Sequence, residues 1–550
     1  MPDAPASRPQ TTGRYDVIIV GAGFSGLYQL HRLRQLGMST RVIEAGSDVG
    51  GTWYWNRYPG ARCDVESMQY SYAFSEKLQQ EWHWPELFSA QPDILRYANH
   101  VADKLDLRRD VLFDTRVTVA RFDETTSRWS IRTDTGETFE AGFLIMATGC
   151  LSTARVPDFK GLGSFKGKTY HTGAWPHEGV DFTGMRVGVI GTGSSAIQAI
   201  PMIAEQAADL TAFQRTPNFS IPSRNVPMSE PYEQSWKNDY AHLRDEARAT
   251  RNGIIAYPND FSALSVSPEE RRRIYEERWA SGGTTFMAAF NDLIFNQEAN
   301  DTAAEFVREK IRETVKDPAT AELLAPKDHP IGTKRICVDT RYFETYNRPN
   351  VHLVNVRSAP IEEITPTGLR TSAAPYEFDA IVFATGFDAM TGALTAIDIH
   401  STNGSTLKQE WEHGPRTYLG LMCAHFPNMF MVTGPGSPSV LSNMHVSIEQ
   451  DVNWISDCVG WLREHGIARM EATQEAQDNW VLHGIEVANK TLYPKAASWY
   501  MGANIEGKPR VFMPYIGGVN TYREKCTEIA RDGYTGFRLT GAAAVAEAAE

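Results

Sequence analysis

Two stretches of the chain, 170 residues apart, each run from a short apolar strand through a glycine turn into a helix, and that repeat constrains the fold more than any other feature. In the first, residues 15–20 (YDVIIV) lead into Gly21-Ala22-Gly23-Phe24-Ser25-Gly26, and a helical pattern continues to about Leu36. In the second, a run ending in VGVI leads into Gly191-Thr192-Gly193-Ser194-Ser195-Ala196, with a helix to about Gln206. Apolar runs without alternation read as strands buried on both faces of a parallel sheet. Glycines in such a turn permit the tight bend, close approach of backbone to a pyrophosphate, and close helix–strand packing. The helix start then offers unpaired N–H groups to phosphate oxygens. Ala196, at the third glycine position of the second turn, stays within the pattern. The expected fold class is α/β, with two Rossmann-like dinucleotide-binding domains.

The residue at the end of the strand after each turn separates the two nucleotides. Glu44 lies 18 residues past Gly26 at the end of the next predicted strand, where a carboxylate can accept both ribose hydroxyls. Together with its place near the N-terminus, this assigns FAD to the first turn. The strand after the second turn ends Phe213-Gln214-Arg215-Thr216, with no acid. A carboxylate there would repel a 2′-phosphate, whereas a guanidinium can bind it with two charge-assisted hydrogen bonds. The second nucleotide is therefore expected to be NADPH rather than NADH, a solvated surface arginine being the plainer reading of Arg215. Ala147-Thr148-Gly149 and Ala384-Thr385-Gly386, at two further strand ends, complete the pattern of a flavoprotein with two dinucleotide sites.

The formal charge of −13 argues against non-specific nucleic-acid binding, which needs clustered Lys and Arg. No run approaches the roughly 18 apolar residues needed to span a bilayer, and residues 1–12 are polar and Pro-rich, unlike a signal peptide. A soluble enzyme of the cytoplasm is the expectation, with no membrane partner. Cys63, Cys150, Cys337, Cys423, Cys458 and Cys526 include no C-x-x-C pair, so free thiols are expected, with neither a metal site nor a dithiol centre. That lowers disulfide reductases and leaves oxygen as the electron acceptor. The domain reading is an FAD domain from residues 1–150 and 386–550, an NADPH domain from 151–225 and 331–385, and a helical insertion at 226–330. Ser267-Pro268-Glu269-Glu270 reads as a capped helix start. Residues 301–315 and 443–465 read as further helices, and the Ala/Glu-rich tail after Thr540 as frayed.

Between the two turns stands Phe165-Lys166-Gly167-Lys168-Thr169-Tyr170-His171-Thr172-Gly173-Ala174-Trp175-Pro176. It resembles the F-x-G-x-x-x-H-x-x-x-W-P signature of the type I Baeyer–Villiger monooxygenases at every specified position. Flavin N-hydroxylases and flavin-containing monooxygenases usually differ at the Trp-Pro end. The likeness covers about residues 15–539. Gly51-Thr52-Trp53-Tyr54-Trp55-Asn56-Arg57-Tyr58-Pro59-Gly60-Ala61-Arg62-Cys63-Asp64 looks like the family's flavin-site loop, and Gly332-Thr333-Lys334-Arg335 resembles its NADPH and catalytic-arginine segment. Trp499, in Ser498-Trp499-Tyr500-Met501-Gly502-Ala503-Asn504, matches a mobile loop that closes over the nicotinamide cofactor. Residues 434–444 (GPGSPSVLSNM) are nearer the phenylacetone and steroid monooxygenase branch than the cyclohexanone branch.

The resemblance implies that FAD, NADPH and O2 are used to insert oxygen beside a ketone carbonyl, through a flavin peroxide, giving an ester or lactone. Anionic peroxide and ketone-derived oxyanion both call for a fixed positive charge in a water-poor site, which arginine supplies because it stays protonated. By resemblance Arg335 takes that catalytic role, Asp64 orients it, and Lys334 joins Arg215 and Thr216 on the 2′-phosphate. The expected cofactor-binding set is Gly21, Gly23, Phe24, Ser25, Gly26, Glu44, Gly51, Thr52, Trp53, Trp55, Asp64, Tyr70, Met444, Gly191, Thr192, Gly193, Ser194, Ser195, Arg215, Thr216, Lys334, Arg335 and Trp499. His171 is expected to make a polar hinge contact rather than to do acid–base work. Two alternatives stay open: a flavin-dependent N- or S-hydroxylating monooxygenase, and a non-oxygenating flavoprotein that oxidises NADPH.

Overall fold

The computed structural model describes residues 12–542. The expected loose N-terminal tail and most of the Ala/Glu-rich C-terminal tail lie outside them. The first sheet is centred on Thr12–Val20, with Thr40–Ile43 and then Val111–Leu112 in parallel on one side and Thr138–Met146 in parallel on the other. The missing alternation at residues 17–20 has a packing cause. Val17 and Ile19 enter one hydrophobic core, whereas Ile18 and Val20 enter another on the opposite face. Full burial of each such side chain contributes about 1.5–3 kcal/mol, which an alternating strand gains on one face only. Val117–Asp123 and Arg128–Thr133 extend the sheet as an antiparallel meander onto Thr138–Met146. Two strands from much later complete it: Asp398–His400 beside Val117–Asp123, and Met429–Met431 beside Thr138–Met146.

The second sheet has five parallel strands in the order Val351–Asn355, Asp209–Gln214, Arg186–Ile190, Ala380–Phe383, Lys168–His171. Helix Ser194–Gln206 follows Arg186–Ile190 as helix Phe24–Gln35 follows Thr12–Val20, and a glycine without a side-chain cap precedes each helix. First-turn N–H groups are thereby left for a ligand. Helix Met444–Glu464, capped by the Asn443 side chain, lies against Phe24–Gln35. Tyr28 donates to Asn453 (Oη to Oδ1, 2.7 Å) and Gln29 to Ser456 (Nε2 to Oγ, 2.9 Å) across that contact.

Residues 226–330 are largely helical but share the cores of their neighbours. Trp236, Tyr240 and Ala247, from Glu230–Asn238 and Tyr240–Ala249, enter the core beneath the first sheet. Ile274, Tyr275, Ala303, Phe306 and Val307, from Pro268–Ser281 and Gln297–Thr314, enter the core of the second. The segment is a strap across both sheets. Ser267 does cap its helix, accepting from the Glu270 N–H at 3.2 Å. The helix expected from residue 301 begins at Gln297, because Asn296 caps it by accepting from the Glu298 and Ala299 N–H groups. Among the described residues no helix is long and apolar enough to cross a membrane.

Candidate active site

A cleft opens at the carboxyl end of Thr12–Val20. Gly21, Gly23, Phe24, Ser25, Glu44, Gly51, Thr52, Trp53, Trp55, Tyr70 and Met444 all line it. The glycines are needed there: Gly21 has φ +105° and a Cβ on it would sit 2.5 Å from the Ala147 carbonyl oxygen, while one on Gly51 would sit 2.8 Å from Gly23 Cα. Gly26 is not in the lining; its Cβ would lie 1.9 Å from the Gly21 carbonyl oxygen, so its part is helix–turn packing. Glu44 is buried, and its two oxygens accept from the Ala22 N–H (2.6 Å) and the Gly46 N–H (2.7 Å). Burial raises its pKa while those bonds oppose the rise. Each carboxylate oxygen keeps acceptor capacity for a ribose hydroxyl. Open turn N–H groups, a buried carboxylate and the apolar walls Phe24, Trp53 and Met444 fit a flavin dinucleotide. Arg116, Ile397 and Thr433 also line the cleft and were missed by sequence reasoning. They come from unrelated segments, with no local pattern to mark them.

The second turn repeats the first. Gly191 has φ +113° and its Cβ would meet the Ala384 carbonyl oxygen at 2.4 Å, whereas the space beside Gly193 is open to 4 Å. Thr192 Oγ1 donates to the Thr216 carbonyl (3.0 Å), tying the turn to the end of the next strand. Ser194 Oγ lies 3.1 Å from Cys337 Sγ, and Ser195 follows it in the first turn of helix Ser194–Gln206. Arg215 is exposed just past Asp209–Gln214. Lys334 is half-buried; burial lowers its pKa, the charge of Asp328 opposes this, and those of Arg215 and Arg357 add to it. Cations and a hydroxyl thus gather at the carboxyl edge of the second sheet, a donor set that fits a phosphate.

Arg335 and Asp64 meet between the two sheets. Nε donates to Oδ2 at 2.9 Å and Nη2 to Oδ1 at 2.7 Å, the planar two-bond geometry. Nη1 donates to the Val440 carbonyl at 2.9 Å. Three of five N–H groups are used, leaving two. Burial alone would lower the Arg335 pKa, but the charge and hydrogen bonds of Asp64 outweigh it and hold the guanidinium above its usual range. Val440 belongs to an apolar cluster with Cys150, Met390, Tyr500 and Met513, against which Leu441, Met444 and Trp499 pack. Burial raises the Tyr493 phenol in this cluster to about 12 although the Arg335 charge opposes it.

The signature segment performs two tasks. Trp175 is buried in the core of the second sheet, so its part is packing. His171, at the end of Lys168–His171, accepts from the Gly173 N–H at Nδ1 (2.9 Å), so its proton resides on Nε2 and is donated to the Arg155 carbonyl (3.0 Å). Burial lowers its pKa and favours this neutral form. Arg155 Nη1 in turn donates to the Asn504 carbonyl (2.5 Å), in the loop that carries Trp499. The two sheets also dock through the loop of residues 51–64. Tyr58 donates to Gln198 Oε1 (2.8 Å), Gln198 Nε2 donates to the Arg62 carbonyl (3.0 Å), and a Cβ on Gly60 would lie 2.4 Å from the Gln198 carbonyl oxygen.

Residues 18–240 match the family model described as pyridine nucleotide-disulphide oxidoreductase. The cysteines in that stretch, Cys63 and Cys150, are buried and free, so the match marks the nucleotide-binding frame rather than a dithiol centre. A Baeyer–Villiger monooxygenase of Pseudooceanicola batsensis is 43% identical, over 95% of this chain and 95% of its own. A solved structure of oxidised steroid monooxygenase bound to NADP is 54% identical, with a TM-score of 0.92, covering 96% of this chain and all of that one. A phenazine N-monooxygenase of Lysobacter antibioticus is 41% identical, over 96% of this chain and 97% of its own.

Proposed function

This chain belongs to the Baeyer–Villiger monooxygenases, which use FAD, NADPH and oxygen to convert ketones to esters or lactones, and from that premise we propose how its own residues carry the reaction. The observation that carries the reading is the Arg335–Asp64 pair: a guanidinium held by three bonds, two of them to Asp64, with two N–H groups to spare, beside an apolar cluster. FAD held in the first cleft supplies the redox chemistry with oxygen. Glu44 and the Gly21–Gly26 turn bind it. Arg335 presents fixed positive charge where a ketone oxygen becomes negative as its carbon turns tetrahedral. Losing one such donor typically costs about 100- to 1000-fold in rate. The cluster around Val440 and Met513 excludes water and receives a hydrophobic ketone; the resemblance to the steroid branch supports a bulky one. Arg215, Thr216 and Lys334 hold the 2′-phosphate of NADPH. Trp499 covers the nicotinamide, and neutral His171 acts as a hinge contact.

The same reading divides the chain into an FAD domain of residues 1–150 and 386–550 and an NADPH domain of 151–225 and 331–385, with 226–330 as the strap. Six free buried thiols support a reducing compartment, the cytoplasm.

The deciding experiment pairs a ketone panel with Arg335→Ala. Wild-type enzyme should yield esters or lactones with NADPH far better than with NADH. The variant should still let NADPH reduce the flavin, yet lose product by about 100-fold or more. Ester formation at the wild-type rate would refute the role of Arg335. A second reading, oxygenation at a ring nitrogen of an aromatic heterocycle, draws on the phenazine N-monooxygenase relative. N-oxide from phenazine-like substrates, with no ester from any ketone, would favour it.

A further inference from the structure

Arg357 lies outside the residues that motif and family likeness point to, but strand pairing brings it to the second nucleotide site. Val351–Asn355 runs parallel beside Asp209–Gln214 with Asn355 paired to Gln214, and the Val356 N–H donates to the Gln214 carbonyl at 2.9 Å. Continuing two residues past each strand end places Arg357 beside Thr216. Arg357 Nη2 donates to Thr216 Oγ1 at 2.9 Å and also to Asp328 Oδ2. Asp328 is itself oriented, because its other oxygen accepts from His329 Nδ1 at 2.7 Å. Lys334 feels the charges of Asp328, Arg215 and Arg357 together.

This arrangement has the charge and the donors of a dianion site. Three cations, Arg215, Lys334 and Arg357, share the corner with one anion, Asp328, leaving two positive charges. A phosphate monoester carries about −1.5 to −2 near pH 7. Thr216 Oγ1 accepts from Arg357, so its own proton is free to point at a phosphate oxygen. A guanidinium already held by two acceptors also loses less side-chain freedom on binding than a solvated one.

We infer that Arg357 is a further specificity-determining residue, donating to the 2′-phosphate of NADPH beside Arg215 and Lys334, with Asp328 as the residue that positions it. The inference rests on the proposal that Arg215, Thr216 and Lys334 hold that phosphate. Because the Arg357 side chain is 54% exposed, its replacement leaves the fold intact.

The test is calorimetric titration of the FAD-loaded enzyme with NADP+ and, separately, with NAD+, at low and high salt. Arg357→Ala should weaken NADP+ by about tenfold, about 1.4 kcal/mol, and leave NAD+ within about twofold. It should also flatten the salt dependence of NADP+ binding, since one charge contact is gone. Unchanged NADP+ affinity overturns the inference, and so does equal weakening of both nucleotides, which marks a merely structural role. Arg215→Ala, titrated in parallel, separates the two levels. If it leaves the NADP+ to NAD+ ratio unchanged, the phosphate lies elsewhere and both readings fall. If it lowers the ratio while Arg357→Ala does not, only the role of Arg357 falls.

Discussion

Glu44 and Asp64 are both carboxylates of the candidate site, one lining the cleft and one paired with Arg335, but only Glu44 was legible from spacing. Glu44 follows its glycine turn at a distance set by one helix and one strand, so local periodicity locates it. Asp64 meets Arg335 across 271 residues of sequence, and nothing but family likeness pairs them. Arg357 and Arg116 lie beyond both kinds of signal, because which strand lies beside which is set by tertiary pairing. The pair itself makes a prediction. Asp64→Ala removes two bonds and the neighbouring charge, so Arg335 stays attached only through Val440. Rate should fall by about 10- to 100-fold, with NADPH consumed without matching ester, as expected when a stabilising charge is displaced. Asp64→Asn keeps an acceptor and should fall less. Product-to-NADPH ratio is the readout; a ratio equal to wild type in Asp64→Ala would remove Asp64 from the positioning of Arg335.

At the scale of elements, both strand–turn–helix units and helix Met444–Glu464 were readable because each has its own caps or periodicity. The strap at 226–330 was readable as helical but not as divided between two cores, since its amphipathic faces do not name what they cover. Helix Met444–Glu464 also carries a pH effect. Asp451, buried within it, accepts from the Thr433 N–H (2.8 Å) and the Tyr522 hydroxyl (3.1 Å), and burial pushes its carboxyl up to about 7 against those bonds. An unfolded Asp titrates at about 3.9. Between about pH 4 and 7 the folded chain therefore keeps a proton that the unfolded chain has lost, so stability falls as pH rises through that window and levels off above it. Asp451→Asn should abolish this part of the slope. Asp339, raised to about 6 by burial, contributes with the same sign in both proteins and cancels in the comparison. Melting temperature against pH for the two proteins decides it. Parallel curves from pH 4 to 7 would show that Asp451 stays ionised in the fold.

Across the whole molecule the loop bearing Trp499 is fastened to the linker that leaves the second sheet. Asn504 Nδ2 donates to the Phe387 carbonyl (2.8 Å), Lys508 Nζ donates to Asp388 Oδ1 (2.5 Å) and to the Ala389 carbonyl (2.8 Å), and Arg155 joins the same loop to His171. The Lys508 side chain is only 11% exposed, so these are not freely solvated contacts. Displacing the loop would therefore break bonds that it shares with the linker, so that loosening one would loosen the other. Lys508→Ala removes the ion pair and one carbonyl contact. Amide exchange should quicken in residues 498–513 and also in 385–390, while the strands Thr12–Val20 and Arg186–Ile190 keep their protection. On the proposal that Trp499 covers the nicotinamide during oxygenation, product formation should fall several-fold more than flavin reduction. Faster exchange confined to 498–513 would mean that the loop moves alone and that the fastening plays no part in coupling the two nucleotide sites.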